Sequence, residues 1–265
     1  MISIVIAATN PEKLAKCLES IRNQEEHDIE VIVNNATESQ EITMICSTYG
    51  YAEIKKKTSI LWSRYITVAA STGDHILLFD DTRSMSNGLI SKLREFKDEI
   101  ICIDELAVGT GLYTRLYNHD LQSQRKIEEQ HLNPIEIRYV LPRFYPARLL
   151  KDSLNAVLTK LGEELFTTIN AMDLELIYYE AFQISKRVKF LAEPKIIHQS
   201  DEGIIDVFKK FYKYGRNTKK ISGTVYHTIS DLRGRRRKYL GTMEKLYGIL
   251  FILLRGTPFV LGYLL

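Results

Sequence analysis

The stretch Ser63–Arg83, SRYITVAASTGDHILLFDDTR, carries three signals in a fixed order. It opens inside a helical pattern over Leu61 to Ala70 and breaks at Gly73-Asp74. It then enters His75–Phe79 (HILLF), an apolar run of strand length with no polar alternation, as a strand covered on both faces requires. Asp80 and Asp81 follow at once. Adjacent carboxylates after a buried strand repel each other unless a cation, a metal or an array of donors compensates. Arg83 is one candidate for that role, and a capped turn is the plainer alternative.

Outward from this segment the same rhythm continues. Ile2 to Ala8 reads as a first buried strand, too short for a signal peptide and without a basic lead. Thr9 or Asn10 caps a helix with Pro11 in its first turn and Leu14, Cys17, Leu18 and Ile21 on one face. Glu30 to Val33 is a strand, Glu38 to Tyr49 a helix and Ala52 to Lys55 a strand, and Asn87 opens a helix bearing Leu89, Ile90, Leu93 and Phe96. Strands alternating with helices predict an α/β fold with a mixed, mostly parallel central sheet flanked by helices. Beyond it, Ile100 to Ile103, Leu106 to Leu112, Ile137 to Leu141, Val188 to Leu191 and Lys195 to Ile197 read as strands, with Asp104 and Glu105 as turn residues. Ala147 to Leu161, Asp173 to Ser185 and Ile204 to Tyr214 read as helices.

The 265 residues, 45 % hydrophobic and 26 % charged, exclude a disordered or collagen-like chain. Cys17, Cys46 and Cys102 form no CxxC pair, which argues against a zinc or disulfide framework and fits a reducing compartment. The net charge of +3 hides an asymmetry: from Val207 to Lys245 twelve basic residues face Asp231 and Glu244, a surplus of ten that leaves −7 elsewhere. Leu246 to Leu265 follows with Arg255 as its one charge, long enough at about 1.5 Å per residue to match a hydrocarbon core. Arg255, Gly256 and Pro258 interrupt it, so a shallow or re-entrant membrane segment is expected, its basic flank drawn to an anionic leaflet. A helix docked on its own core is the alternative. The division falls near Ser200, giving a domain over 1–200 and a basic, then apolar, helical extension over 201–265.

The order of motifs carries further. SIVIAATN with its helical stripe, then EVIVNNAT, then SRYITVAASTGDHILLFDDTR resembles the N-terminal half of family-two glycosyltransferases of the GT-A fold. Pro142-Arg143-Phe144-Tyr145 is similar to their acceptor-side segment and Met172-Asp173-Leu174-Glu175-Leu176 to their ED-x-DL element. Lys195-Ile196-Ile197-His198 with Lys209 to Arg216 (KKFYKYGR) resembles the ending of membrane-associated members. Three departures stand out, one of them Asn34-Asn35 after the second strand where acids are common. Aligned on its threonine and arginine, DDTR puts Phe79 where the first acid of the acidic triplet belongs; aligned on the first acid, Thr82 replaces the last. Met172 also stands before Asp173 where an acid is usual.

The resemblance implies an inverting hexosyl-type transferase that moves a sugar from a UDP- or GDP-sugar to a hydroxyl or phosphate acceptor, and the basic, apolar tail points to a polyprenyl-phosphate-linked or saccharide one. It would lie peripheral or monotopic at the cytoplasmic membrane face, associating through 207–265. A departing diphosphate needs its charge neutralised and the acceptor needs a base. By resemblance, Asp173 is the base, and Asp80, Asp81 and His198 hold Mg²⁺ or Mn²⁺. Thr9, Asn10, Asn34, Asn35, Arg64, Asp80 and Arg216 meet the nucleotide donor. Each has a structural alternative: a helix N-terminal acid for Asp173, a strand-end histidine for His198, an Asx turn for Asn34 and Asn35. Two readings compete with catalysis. One is a non-catalytic relative; the other is a nucleic-acid surface built from the basic stretch with Phe208, Phe211, Tyr212, Tyr214 and Tyr226.

Overall fold

The computed structural model describes residues 1–128, 132–136, 140–200, 203–232 and 241–265. In chain order these form β1 (Ile2–Ala8), α1 (Pro11–Arg22), β2 (Ile29–Asn35), α2 (Gln40–Tyr49), β3 (Ala52–Lys55), α3 (Ile60–Ala70), β4 (His75–Asp80), β5 (Arg83–Met85) and α4 (Leu89–Leu93). Then come β6 (Ile100–Val108), α5 (Leu112–Glu128), β7 (Phe144–Pro146), α6 (Ala147–Leu161), α7 (Glu163–Phe166), α8 (Asp173–Ile184), β8 (Val188–Gln199), α9 (Ile204–Ser222), α10 (His227–Leu232) and α11 (Thr242–Leu264). One eight-stranded sheet runs β3-β2-β1-β4-β7-β6-β8-β5. Its first four strands are parallel, β7 is antiparallel to β4 and β6, β8 is parallel to β6, and β5 is antiparallel to β8.

All seven residues of β1 are buried, because both faces of the sheet are covered. On one face Ile4, Ile6, Leu77 and Phe79 pack on Leu14, Leu18, Ile42 and Leu89 from α1, α2 and α4. On the other, Val5, Ile76 and Leu78 pack on Leu61 and Val68 of α3, Leu150 and Leu154 of α6, and Ile177 of α8. Each such side chain contributes roughly 1.5–3 kcal/mol of burial. The chain passes from α3 into β4 across the start of β1 at Gly73, where a Cβ would lie 2.8 Å from the Ser3 backbone nitrogen. Asn10 caps α1 by accepting from Lys13 N at 3.0 Å, and Ser59 caps α3 by accepting from Trp62 N at 3.3 Å.

Several boundaries differ from the sequence reading. β2 runs on to Asn35, so both asparagines lie in the strand and not in a turn. Asp104 and Glu105 lie within the single strand β6, beside a register shift against β8, and Leu112 starts α5 instead of ending a strand. The expected strands at 188 and 195 are one twelve-residue strand. Of the expected strand Ile137 to Leu141, residues 137–139 lie outside the described residues, and Val140 and Leu141 are not in a strand; the antiparallel pairing falls to β7.

The expected interruption of the apolar tail is corrected. α11 is one helix through Gly256 and Pro258. Its Phe251, Pro258 and Gly262 are buried, and Phe251 joins Tyr113 and Leu116 of α5 and Val207 and Phe211 of α9 in a third core. A Cβ at Gly215 of α9 would overlap the Phe259 carbonyl, and one at Gly262 would overlap the Tyr212 carbonyl, so the two helices touch backbone to backbone. That packing offsets the donor lost at Pro258. Arg255 lies with its guanidinium carbon 4.3 Å from the Phe211 ring centre and 4.7 Å from that of Phe251. There its charge lies over two aromatic faces.

Candidate active site

The parallel strands end together, so that Asn34 of β2, Ala7 of β1 and Asp80 of β4 share one register row. Ligands of open α/β sheets bind at such carboxyl edges. Arg64, 2 % exposed on α3, is aimed at this edge. Its Nη1 donates to the Phe79 carbonyl, its Nη2 to Asp80 Oδ1, and its Nε to Asp173 Oδ2 at 3.3 Å. Asp173 opens α8 just after Met172, whose φ of 67° turns the chain sharply into the helix.

Two more guanidiniums take the other oxygen of Asp80. Arg143, placed just before β7, donates from Nη1 to Asp80 Oδ2 at 3.1 Å and to the Leu78 carbonyl at 3.2 Å. Arg83, at the start of β5, donates from Nη1 to Asp80 Oδ2 and from Nε to Glu105 Oε2 at 3.2 Å. Glu105 Oε1 accepts from the Tyr117 hydroxyl at 3.0 Å, and His198 Nδ1 stands 3.2 Å from the same oxygen without hydrogen-bond alignment. Burial raises the Asp80 pKa, but Arg64, Arg83 and Arg143 together hold it well below the usual carboxylate range. Glu105 behaves alike: burial opposes ionisation, and Arg83 more than reverses it. Burial and Arg83 depress His198, against the pull of Glu105, so its imidazole is neutral at pH 7.

The expected donor and metal residues separate into two groups. Arg64, Asp80 and Asp173 converge, and Arg83, Arg143 and Glu105 complete their cluster. Asp81 turns away from Asp80: its Oδ2 accepts from Thr9 N (2.6 Å), Asn10 N (2.8 Å) and Thr9 Oγ1 (3.1 Å), bracing the exposed β1–α1 turn. Burial raises its pKa and those donors pull the other way. Asn34 donates to Thr58 Oγ1 (2.7 Å) and Ser63 Oγ (3.0 Å), while its buried Oδ1 lacks a partner among the described residues. Asn35 is spent on local structure, accepting from Ser39 N and donating to Glu53 Oε1. Arg216 lies on the exposed face of α9 beside Lys219 and Lys220, outside the cluster.

These residues do not fit a divalent ion as they stand. Both oxygens of Asp80 carry guanidinium donors, Asp81 faces α1, and His198 faces Glu105. Among the described residues no three His, Cys, Asp or Glu side chains converge as ligands. An effective dielectric near 20 gives about 4 kcal/mol between unit charges 4 Å apart, so a doubly charged ion at Asp80 would meet about twice that from each neighbouring arginine. Of the aromatics in the nucleic-acid reading, Phe208 is exposed and Tyr212 and Tyr214 are half-buried. Phe211 and Tyr226 are buried, and the Tyr226 hydroxyl donates to Glu180 at 2.8 Å.

No protein-family model matches the sequence, and no curated protein matches it. Solved structures do. Staphylococcus aureus TarS 1-349 in complex with UDP-GlcNAc superposes with a TM-score of 0.58 at 15 % identity, over 99 % of this chain and 81 % of that one. The UDP complex gives 0.57 at 17 % identity over 86 % and 68 %. The mannosyltransferase PcManGT from Pyrobaculum calidifontis, in complex with GDP-Man and Mn²⁺, gives 0.55 at 11 % identity over 99 % and 72 %. The chain has a GT-A-like glycosyltransferase fold. Within that fold the Asp80 cluster occupies the carboxyl edge of β4.

Arg143, Glu105 and Tyr117 were absent from the expected site. In the sequence Arg143 reads only as part of the acceptor-side segment Pro142-Arg143-Phe144-Tyr145; its place beside the apolar pair Phe144-Tyr145 is the signal of a buried charge.

Proposed function

We propose that the protein is an inverting glycosyltransferase that uses a UDP- or GDP-sugar, with residues 1–200 as its catalytic domain. The observation that carries the proposal is the Arg64 fork. One buried guanidinium ties the carboxylate at the end of β4 to Asp173, so the donor edge and the proposed base keep a fixed separation. In the reaction, an acceptor hydroxyl passes its proton to Asp173 as its oxygen bonds the anomeric carbon. The bond from that carbon to the diphosphate breaks from the opposite side, and the electron pair leaves with the nucleoside diphosphate. The solved structures of the same fold that hold UDP, UDP-GlcNAc and GDP-Man support the donor class.

The extension over 201–265 places the reaction at a membrane surface in this reading. Leu246, Ile249, Leu250, Leu253, Val260 and Leu264 form one exposed stripe of α11, opposite the docked Phe251 and Gly262. A helix with one face docked and the other apolar lies in the interface instead of crossing it. This favours a lipid-linked acceptor, such as the oligosaccharide of a polyprenyl-phosphate carrier with its free hydroxyl, over a soluble saccharide. Calorimetric titration with a panel of UDP- and GDP-sugars tests the proposal. Binding of one donor, followed by its turnover with a lipid acceptor, is expected; failure of the whole panel to bind overturns it.

A further inference from the structure

We infer that this centre neutralises the departing diphosphate with guanidinium groups, Arg83 foremost, in place of a divalent cation. The inference rests on the glycosyltransferase reading above and concerns how that reaction handles charge. Three arginines converge on the single carboxylate Asp80, and each has a separate anchor: Arg64 on Asp173, Arg83 on Glu105, Arg143 on the Leu78 carbonyl. Three guanidiniums thus stand against three carboxylates, Asp80, Asp173 and Glu105.

Of the three, Arg83 is the one that reaches the surface. Its side chain is 14 % exposed against 2 % for Arg64 and 5 % for Arg143, beside Asp80 at 16 %. It spends Nε and Nη1 on Glu105, Asp80 and Thr82, and its Nη2 makes no hydrogen bond among the described residues. A guanidinium with its plane fixed by two acids and one edge free suits a phosphate oxygen, since it pre-pays orientation. Arg83 then touches the leaving group, while Arg64 and Arg143 act as positioning residues through Asp80.

The fork adds a timing element. When the acceptor proton moves to Asp173, that carboxyl becomes neutral and the cluster gains a net positive charge. In the same step the breaking bond puts negative charge on the diphosphate. Proton transfer at one end of Arg64 thus strengthens the field at the other when it is needed, the role a fixed metal charge serves elsewhere.

The test is donor binding to the full chain, measured by calorimetry in EDTA and in Mn²⁺, for the wild type, Arg83→Met and Arg83→Lys. Affinity for the bound nucleotide sugar is expected to agree within about twofold between EDTA and Mn²⁺. Loss of a charge-assisted bond in Arg83→Met is expected to weaken that affinity roughly tenfold or more, with the lysine variant intermediate and the affinity for the free nucleoside unchanged. Tightening by Mn²⁺ of about tenfold or more, removed by Asp80→Asn, would overturn the inference and leave the glycosyltransferase reading standing. Equal loss of nucleoside and nucleotide-sugar binding in Arg83→Met would overturn the role of Arg83. If Arg83→Met does not fold, Arg83→Lys with the same nucleoside control decides the role of Arg83, and the EDTA and Mn²⁺ comparison on the wild type decides the metal. Failure of every nucleotide sugar to bind in both conditions overturns the glycosyltransferase reading and this inference with it.

Discussion

Arg64 Nε stands 3.3 Å from Asp173 Oδ2 while the other end of the same guanidinium holds Asp80, although 109 residues separate Arg64 from Asp173. A lysine has one nitrogen and cannot span two acids and a backbone carbonyl. Arg64→Lys is therefore expected to lower kcat by about 100-fold, with a smaller change in donor affinity, as Asp173 loses its orientation. Arg64→Met leaves the half-buried Asp173 without this arginine and Asp80 with two of its three, and is expected to cost about 1–3 kcal/mol in urea unfolding. Wild-type turnover in Arg64→Lys would show that the fork does not position the base.

Asp173→Asn keeps the shape and a partial partner for Arg64 but cannot accept a proton. Transfer should fall by about 100-fold to 10,000-fold while donor affinity stays within about threefold, read from initial rates and from titration of the same preparation. A rate within a few-fold of wild type would remove Asp173 as the base.

Stability should fall on acidification in two stages. The folded-state pKa of His198 is depressed, so below its unfolded value of about 6.5 the unfolded chain takes up a proton that the folded chain does not. Asp80 and Glu105 are also depressed, so their contribution is complete above about pH 4–4.5 and drains away below it, as pH falls through the folded values. Asp81, whose pKa is raised, works in the opposite sense. Urea midpoints between pH 7 and 3.5 should show a shallow slope first and a steep one after it. His198→Asn should flatten the first alone; an unchanged slope would mean another group titrates there.

How much of this was legible depended on where the partners lie. β1 and β4 were plain from Ile2–Ala8 and HILLF because a strand covered on both faces is apolar throughout. α5 was hidden because its buried face carries Thr114, Asp120, Ser123 and Gln124, which blur the apolar stripe of Tyr113, Leu116 and Leu121. The acid pair after β4 was visible, but its division was not. Asp81 is satisfied by the backbone of Thr9 and Asn10, and Asp80 by arginines from three separate elements, relations that exist only after folding. Asp104 and Glu105 read as a turn because two consecutive acids seldom sit in a buried strand. Arg125, Lys195 and Arg83 are what permit it, pairing with Asp104 at 3.0 and 3.7 Å and with Glu105 at 3.2 Å.

The contact of α9 with α11 predicts a size limit. Gly215→Ala and Gly262→Ala each put a methyl group into a facing carbonyl, and overpacking of this kind costs about 1–3 kcal/mol. Each variant should unfold at a lower urea concentration than wild type, as α11 loosens. Equal midpoints would mean that the helices part without cost.

The two faces of α11 should respond to mutation in opposite ways. Leu250 and Leu253 are 45 % and 58 % exposed, whereas Phe251 is 1 % exposed against Tyr113 and Tyr117. Replacing Leu250 and Leu253 by Glu removes apolar area from the proposed membrane face and adds charge that an anionic leaflet repels. Partition to anionic vesicles should collapse while the urea midpoint stays put, because neither side chain packs on the protein. Phe251→Ala should do the reverse, costing about 3–5 kcal/mol of stability and leaving partition of the folded chain nearly intact. Should the double Glu variant partition as well as wild type, the outward stripe is not the membrane contact, and the basic residues of α9 become the surface to test.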